Sequence, residues 1–283
     1  MSWIEVSVTV ARDYADAVAN IFFEAGSGVL WEEPAPALVR IKGYLPVGAG
    51  ATLKVAKLRR RVAAVLGEEQ ELAVKEVREE DWADAWRQFY RPFRVGKRLV
   101  IRPPWEDCPA LPGDLVLVLY PGTAFGCGTH PTTQMCLEAL EEAVRPGMRV
   151  CDVGTGSGIL AIAAALLGAD SVVAVDNDPA AVRLARENVA RNGVESRVDV
   201  REGYLLDAVA GSFGLLVANI TAEVILRLAP AAARILKVGG LFVAGGVIEA
   251  RVPPVKQALE NAGFDLTRME TRDGWAMLVG VKT

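Results

Sequence analysis

The sequence predicts a mixed α/β protein in two parts, a small βαββαβ unit followed by a larger, doubly wound parallel sheet. Three observations predict it. Apolar periodicity in residues 1–77 switches between 2 and 3.6 in the order strand, helix, strand, strand, helix, strand. From residue 93 onward strands alternate with helices and end in two consecutive strands. Within this second part, a glycine-rich turn leads from an apolar strand at 149–153 into an apolar helix. A length of 283 residues suits two domains, and 52% hydrophobic with 23% charged residues allows a core large enough to offset the entropy of ordering.

In the first part, alternation marks a strand from Trp3 to Val10 and helical spacing marks Asp13 to Ala25. Two short strands (Val29–Glu33, Leu38–Gly43), a helix (Thr52–Leu66) and a strand (Leu72–Val77) complete a ferredoxin-like α+β domain over 1–77. RNA-recognition domains share this order. The region Leu38-Val39-Arg40-Ile41-Lys42, however, lacks the aromatic stacking pair they use, which disfavours RNA binding. The helix carries Lys54, Lys57, Arg59, Arg60 and Arg61, either a solvated face or a docking surface for an acidic or ribosomal partner. Residues 78–92 read as a helical connector in which Trp82, Trp86, Phe89 and Tyr90 fall on one helical face and Pro92 ends the helix. The aromatic stripe serves packing, hinge control or a cleft wall.

The second part, 93–283, opens with a hairpin (Phe93–Arg102) and an apolar strand (Leu115–Tyr120). Strands are expected at Arg149–Val153, Ser171–Asp176, Val198–Arg201, Gly214–Ala218 and Gly240–Ala244, with helices between these five, and then at Leu266–Glu270 and Trp275–Val281. That makes a seven-stranded, Rossmann-like sheet that binds ligands at the carboxyl ends of its strands.

Composition removes several chemistries. The single histidine, His130, excludes sites needing two histidine ligands, and Cys108, Cys127, Cys136 and Cys151 contain no C-x-x-C pair, so no metal is expected. A net charge of −4 gives no whole-molecule attraction to nucleic acid. The longest uncharged apolar run, Gly158–Ala169, is 12 residues, short of the roughly 20 that span a bilayer. Glu5 and Arg12 interrupt any export signal, so a soluble cytoplasmic protein is expected.

The strongest local motif is Val150-Cys151-Asp152-Val153-Gly154-Thr155-Gly156-Ser157-Gly158-Ile159-Leu160-Ala161. Its alternating glycines let the backbone turn sharply and a ligand approach, although a purely structural turn also favours glycine. Asp176, 22 residues after Gly154 at the end of the next strand, is placed to accept both hydroxyls of an adenosine ribose. Asp178 and Pro179 read as N-cap and first-turn residues. An NAD-binding loop would place a third glycine at 159, where this chain has Ile159. Asn219 ends the strand Leu215–Ala218 and either accepts a hydrogen bond from a substrate amine or caps the helix near Thr221.

The compact loop followed by a ribose acid resembles the S-adenosylmethionine loop of seven-stranded methyltransferases, in which Asp152 would sit near the methionine part. The segment Pro121-Gly122-Thr123-Ala124-Phe125-Gly126-Cys127-Gly128-Thr129-His130-Pro131-Thr132-Thr133 is more specific. With the glycine loop and Ala218-Asn219-Ile220, it resembles the bacterial ribosomal protein L11 methyltransferases over essentially the whole chain. The resemblance implies S-adenosylmethionine as cofactor, with contacts from Thr133, Gly154, Asp176 and Asn219 and with Gly156 and Asp152 in the same loop. It also implies lysine side chains and an N-terminal amine of L11 as methyl acceptors, and a substrate-recognition role for 1–77. Cys127 stands where the family usually has Thr, and Tyr120 where an acid commonly precedes Pro-Gly.

Only a neutral amine can attack a sulfonium methyl, and neutralising lysine at pH 7 costs about 4.6 kcal/mol. A desolvating pocket near the sulfonium lowers that cost and alignment supplies much of the rate, so no histidine base is required. Asn219 would orient the amine, and His130 would brace the loop or, alternatively, move a proton. Rival readings are methylation of another protein such as an electron-transfer flavoprotein subunit, a non-catalytic adenosyl-cofactor sensor, and an NAD oxidoreductase, which Ile159 disfavours.

Overall fold

Strict alternation builds the first sheet. The computed structural model describes residues 2–25, 28–35, 37–47, 50–68, 70–78, 90–120 and 126–283. Two compact units divide between Tyr90 and Arg91. The expected connector helix with Trp82, Trp86 and Phe89, and residues 121–125 of the diagnostic segment, lie outside the described residues.

The first unit runs β1 (Ser2–Ala11), α1 (Ala15–Glu24), β2 (Gly28–Ala35), β3 (Leu38–Pro46), α2 (Ala51–Leu66) and β4 (Ala73–Arg78). Its strands pair antiparallel in the order β2-β3-β1-β4. Val6, Val8 and Val10 of β1 and Val39, Ile41 and Leu45 of β3 share one face and form a core with Val18, Phe22, Leu58 and Val62 of the helices. In α2, Leu58 and Val62 are buried while Lys54, Lys57, Arg59, Arg60 and Arg61 are exposed. The helix stops at Gly67, which takes a left-handed φ of 75° and donates its N–H to the Ala63 carbonyl.

The second unit begins with a three-stranded sheet of β5 (Phe93–Val95), β6 (Leu99–Arg102) and β7 (Leu115–Val118). The last of these is shorter than expected, because its partner β6 ends at Arg102, opposite Val118; beyond it Asn188 accepts the Tyr120 N–H at 3.0 Å. Then follow α3 (Pro131–Ala143), β8 (Arg149–Val153), α4 (Ile159–Leu166), β9 (Ser171–Asp176), α5 (Pro179–Arg191) and β10 (Val198–Glu202). The chain ends β11 (Phe213–Asn219), α6 (Ala222–Ile235), β12 (Leu236–Ile248), α7 (Val252–Asn261), β13 (Phe264–Arg272) and β14 (Trp275–Lys282). No helix joins β10 to β11, contrary to the sequence expectation. The linking residues, between Gly203 and Gly211, form turns, and Leu205 adopts a φ of 50° that an α-helix does not allow.

The large sheet has the order β10-β9-β8-β11-β12-β14-β13. Its first five strands are parallel and β14 and β13 are antiparallel. The order reverses between β8 and β11, so their carboxyl ends flank a crevice. Phe213, Leu216, Phe242 and Val247 are fully buried against Ile225 and Leu228 of α6 and Leu259 of α7. At the two edges polar side chains recur: Asp199, Arg201 and Glu202 on β10, and Asp265, Arg268, Glu270 and Arg272 on β13.

Strand β12 runs on past the expected Ala244 and shifts register between Ala244 and Val247. Gly245 and Gly246 make the shift, Gly246 with a φ of 77° and with no room for a Cβ beside the Ile220 backbone. Gly246→Ala should therefore lose about 1–3 kcal/mol of stability. Urea unfolding would measure it, and a wild-type midpoint would refute the steric account.

Candidate functional site

The loop after β8 turns through Gly154, Gly156 and Gly158, with φ of 74°, 55° and 85°. A Cβ at Gly154 would collide with the Ile220 side chain, and one at Gly158 would press on Ala185 of α5 at 3.3 Å. The Gly154 and Thr155 N–H groups both donate to the Val175 carbonyl, at 2.8 and 3.0 Å, tying the loop to β9.

Two carboxylates hold this loop. Asp152 is fully buried beneath it and accepts from the Thr155 hydroxyl at 2.7 Å and the Ala161 N–H at 3.1 Å through Oδ2. Its Oδ1 has no hydrogen-bond partner among the described residues. Burial pushes the Asp152 pKa up to about 7, against the two hydrogen bonds and with a further upward push from the Asp176 charge. Asp176 accepts from the Gly156 N–H at 2.9 Å and the Asp178 N–H at 3.0 Å, one on each oxygen, which leaves lone pairs for a ligand. Asp178 caps α5 by accepting from the Ala180 N–H at 2.8 Å, and Pro179 occupies the first turn.

Helix α3 supplies the opposite side. His130 is its N-cap, with Nδ1 accepting from the Thr132 N–H at 3.3 Å and lying 2.7 Å from the Thr132 hydroxyl. The imidazole and the Trp275 indole make a T-shaped contact, ring centroids 4.9 Å apart, and burial lowers the His130 pKa below the usual histidine value. One turn on, buried Thr133 accepts from Asn219 Nδ2 at 3.1 Å. Asn219 Oδ1 is buried without a hydrogen-bond partner among the described residues. Thr221, not Asn219, is the N-cap of α6, so the capping alternative for Asn219 falls away. Ser157 donates to the Gly126 carbonyl at 2.7 Å, joining the described part of the diagnostic segment to the glycine loop.

These groups surround a cleft of about 600 Å³ at the carboxyl edge of the sheet. Gly154, Gly156, Asp176 and Asn219 line it, together with His130. Thr133 and Asp152 stand behind the lining and reach it through Asn219 and Thr155. Sequence reasoning missed Tyr204, which follows β10, and Trp275, which opens β14; both line the cleft. An aromatic residue at each strand end was the only available signal, since the strand order that brings them to the cleft is not local.

A parallel sheet closed by an antiparallel hairpin, a glycine loop after its first central strand and an acid ending the next define a Rossmann-like methyltransferase. The cradle fits S-adenosylmethionine: Gly154 and Gly156 line the cleft without side chains, and Asp176 keeps acceptor capacity there. The model of the ribosomal protein L11 methyltransferase (PrmA) family matches residues 2–283, and the chain belongs to that family. It is 44% identical over 302 residues to the ribosomal protein L11 methyltransferase of Pelotomaculum thermopropionicum, covering 98% of each chain. It is 41% identical over 312 residues to that of Geobacillus kaustophilus, covering 100% of each. The crystal structure of ribosomal protein L11 methylase from Lactobacillus delbrueckii subsp. bulgaricus superposes with a TM-score of 0.64 at 36% identity, covering 69% of this chain and 100% of that one.

The raised pKa of Asp152 has a definite sign. An acid whose folded pKa of about 7 lies above its unfolded value supports folding fully below the unfolded pKa and loses that support as pH rises through 7. Asp152→Asn cannot ionise. Thermal melts from pH 5 to 8 should show the wild type losing stability relative to this variant as pH rises; parallel curves would remove Asp152 from the linkage.

Proposed function

We propose that this chain is an S-adenosylmethionine-dependent methyltransferase that methylates lysine side-chain and N-terminal amines of ribosomal protein L11 in the cytoplasm. The observation that carries the chemistry is the gathering of the glycine loop, Asp176 and Asn219 around one cleft. Family membership over residues 2–283 carries the target, and favours it over a flavoprotein subunit or a non-catalytic sensor role.

In this reading Asp176 accepts the ribose hydroxyls, Gly154 and Gly156 present bare backbone to the cofactor, and Thr133 and Asn219 support its reactive end. Asp152 acts through the loop, which it holds in shape. When bound, S-adenosylmethionine supplies an electrophilic methyl group on a sulfonium. Val153, Ile159, Leu160 and Val224 give the cleft apolar walls, which exclude water and lower the amine's pKa toward the neutral, attacking form. Asn219 orients the amine, whose N–H supplies the donor that Oδ1 lacks. Histidine need not act as base: His130 Nδ1 is engaged at the start of α3, where it braces the loop. The N-terminal domain (1–77) recognises L11, and the 78–92 connector lets the catalytic domain (93–283) reach several amines.

Incubation with labelled S-adenosylmethionine and ribosomal proteins from cells lacking this protein, followed by mass spectrometry, should place methyl groups on L11. Methyl groups confined to another protein, or cofactor binding without transfer, would overturn the assignment. Asp176→Ala should weaken cofactor binding about tenfold or more by removing hydrogen bonds to a charged acceptor. Calorimetry would report it, and unchanged affinity would take Asp176 out of the site.

A further inference from the structure

We propose that Trp275 and His130 form the wall that receives the acceptor amine, with the indole face set against the nitrogen that gains charge during transfer. The proposal rests on the methyltransferase reading and adds a specificity-determining residue, Trp275, to it.

The strand order places the wall. Asp176 ends β9, on one side of the switch point between β8 and β11. A cofactor whose nucleoside end Asp176 held would have its reacting end across the switch point, toward Asn219 on β11. Trp275 opens β14, two strands beyond β11, and lines the same cleft. It therefore stands on the side from which a second substrate must arrive.

The fold positions both residues of the wall. Trp275 follows the turn at Asp273 and Gly274, and pairs with Ile248 on β12. Arg272, at the near end of that hairpin, donates to Glu138 of α3 at 2.9 Å and to Gln134 at 3.3 Å. Arg268 donates to Glu142 of the same helix at 2.7 Å. His130 caps the start of that helix, so the elements that carry imidazole and indole are joined, and the two rings lie 4.9 Å apart. His130 Nδ1 is engaged by the N–H and the hydroxyl of Thr132, and burial favours the uncharged ring. A neutral imidazole does not repel a nascent cation.

The chemistry uses such a wall. The amine lone pair forms the new N–C bond while the S–C bond breaks and leaves its electron pair on sulfur. Positive charge passes from sulfur to nitrogen, and the ammonium product afterwards releases a proton to solvent. Attraction between the indole face and the nitrogen grows along this path, so it acts on the transition state more than on the bound neutral amine.

The full-length protein, with cofactor and L11, tests this through Trp275→Phe, Trp275→Leu and a series with increasingly fluorinated phenylalanine at position 275. The Phe variant should stay within about threefold of wild-type kcat, and the Leu variant should fall about tenfold or more. Each added fluorine should lower kcat further, while the cofactor Kd measured by calorimetry holds within about twofold. Wild-type kcat in the Leu variant, a flat fluorine series, or a cofactor Kd that moves with kcat would overturn the proposal. Binding gives a readout apart from activity. The indole N–H resonance absent from Trp275→Phe should shift when the cofactor-loaded wild type is titrated with an Nε-trimethyl-lysine amide, and an unmoved resonance counts against the wall. Failure of the wild type to methylate any protein would instead strike the parent reading.

Discussion

Two carboxylates on neighbouring strands hold the glycine loop on which the carboxyl edge of the large sheet depends. Asp152 grips it from below through Thr155 and Ala161, and Asp176 grips it from the side through the Gly156 N–H. The two acids pay for different things. Asp152 is cut off from water and shaped for structure, at the expense of a strongly raised pKa. Asp176 keeps lone pairs for a ligand. Three residues with positive φ would otherwise make this the softest part of the unit, since glycine loses more freedom on folding than any other residue.

Much of this was legible in the sequence, and the reasons differ by element. Strands β8 and β9 appear with their expected bounds, because buried parallel strands read as short apolar runs with sharp polar or glycine ends. The βαββαβ order of the first unit was equally visible, because alternation and helical spacing are local signals. Strand β12 was underestimated: Gly245 and Gly246 look like a stop after Ala244, yet the strand runs on, with Gly245 paired to Asn219 of β11 and with Val247 and Ile248 paired to β14. The missing helix between β10 and β11 is the converse, since the alternation of strands with helices predicts one where Leu205 takes a φ of 50°. For Asn219, sequence could offer two roles, and the position of Thr221 as helix cap removes the capping one. The place of Trp275 beside His130 depends on strand order and lay beyond any local reading.

The ion pairs that join α3 to β13 show why contact strength and structural importance differ. Arg268 and Arg272 are each about one-third exposed, so their pairs with Glu142, Glu138 and Glu270 are screened by water and each contributes at most about 1 kcal/mol to stability. Their effect is geometric. They join the helix that begins at His130 to the hairpin that presents Trp275, across 134 positions of sequence for Arg272–Glu138 and 126 for Arg268–Glu142.

The charged edges of the seven-stranded sheet set a limit on how copies of this chain can meet. Any chain adding itself as an eighth strand would have to lie along Asp199, Arg201 and Glu202 on β10 or along Arg268, Glu270 and Arg272 on β13. An identical strand arriving in register would bring like charges together and strip water from them, which opposes growth of the sheet from either side. The same residues that orient the hairpin thus protect a newly made chain from edge-to-edge aggregation while its core is still forming.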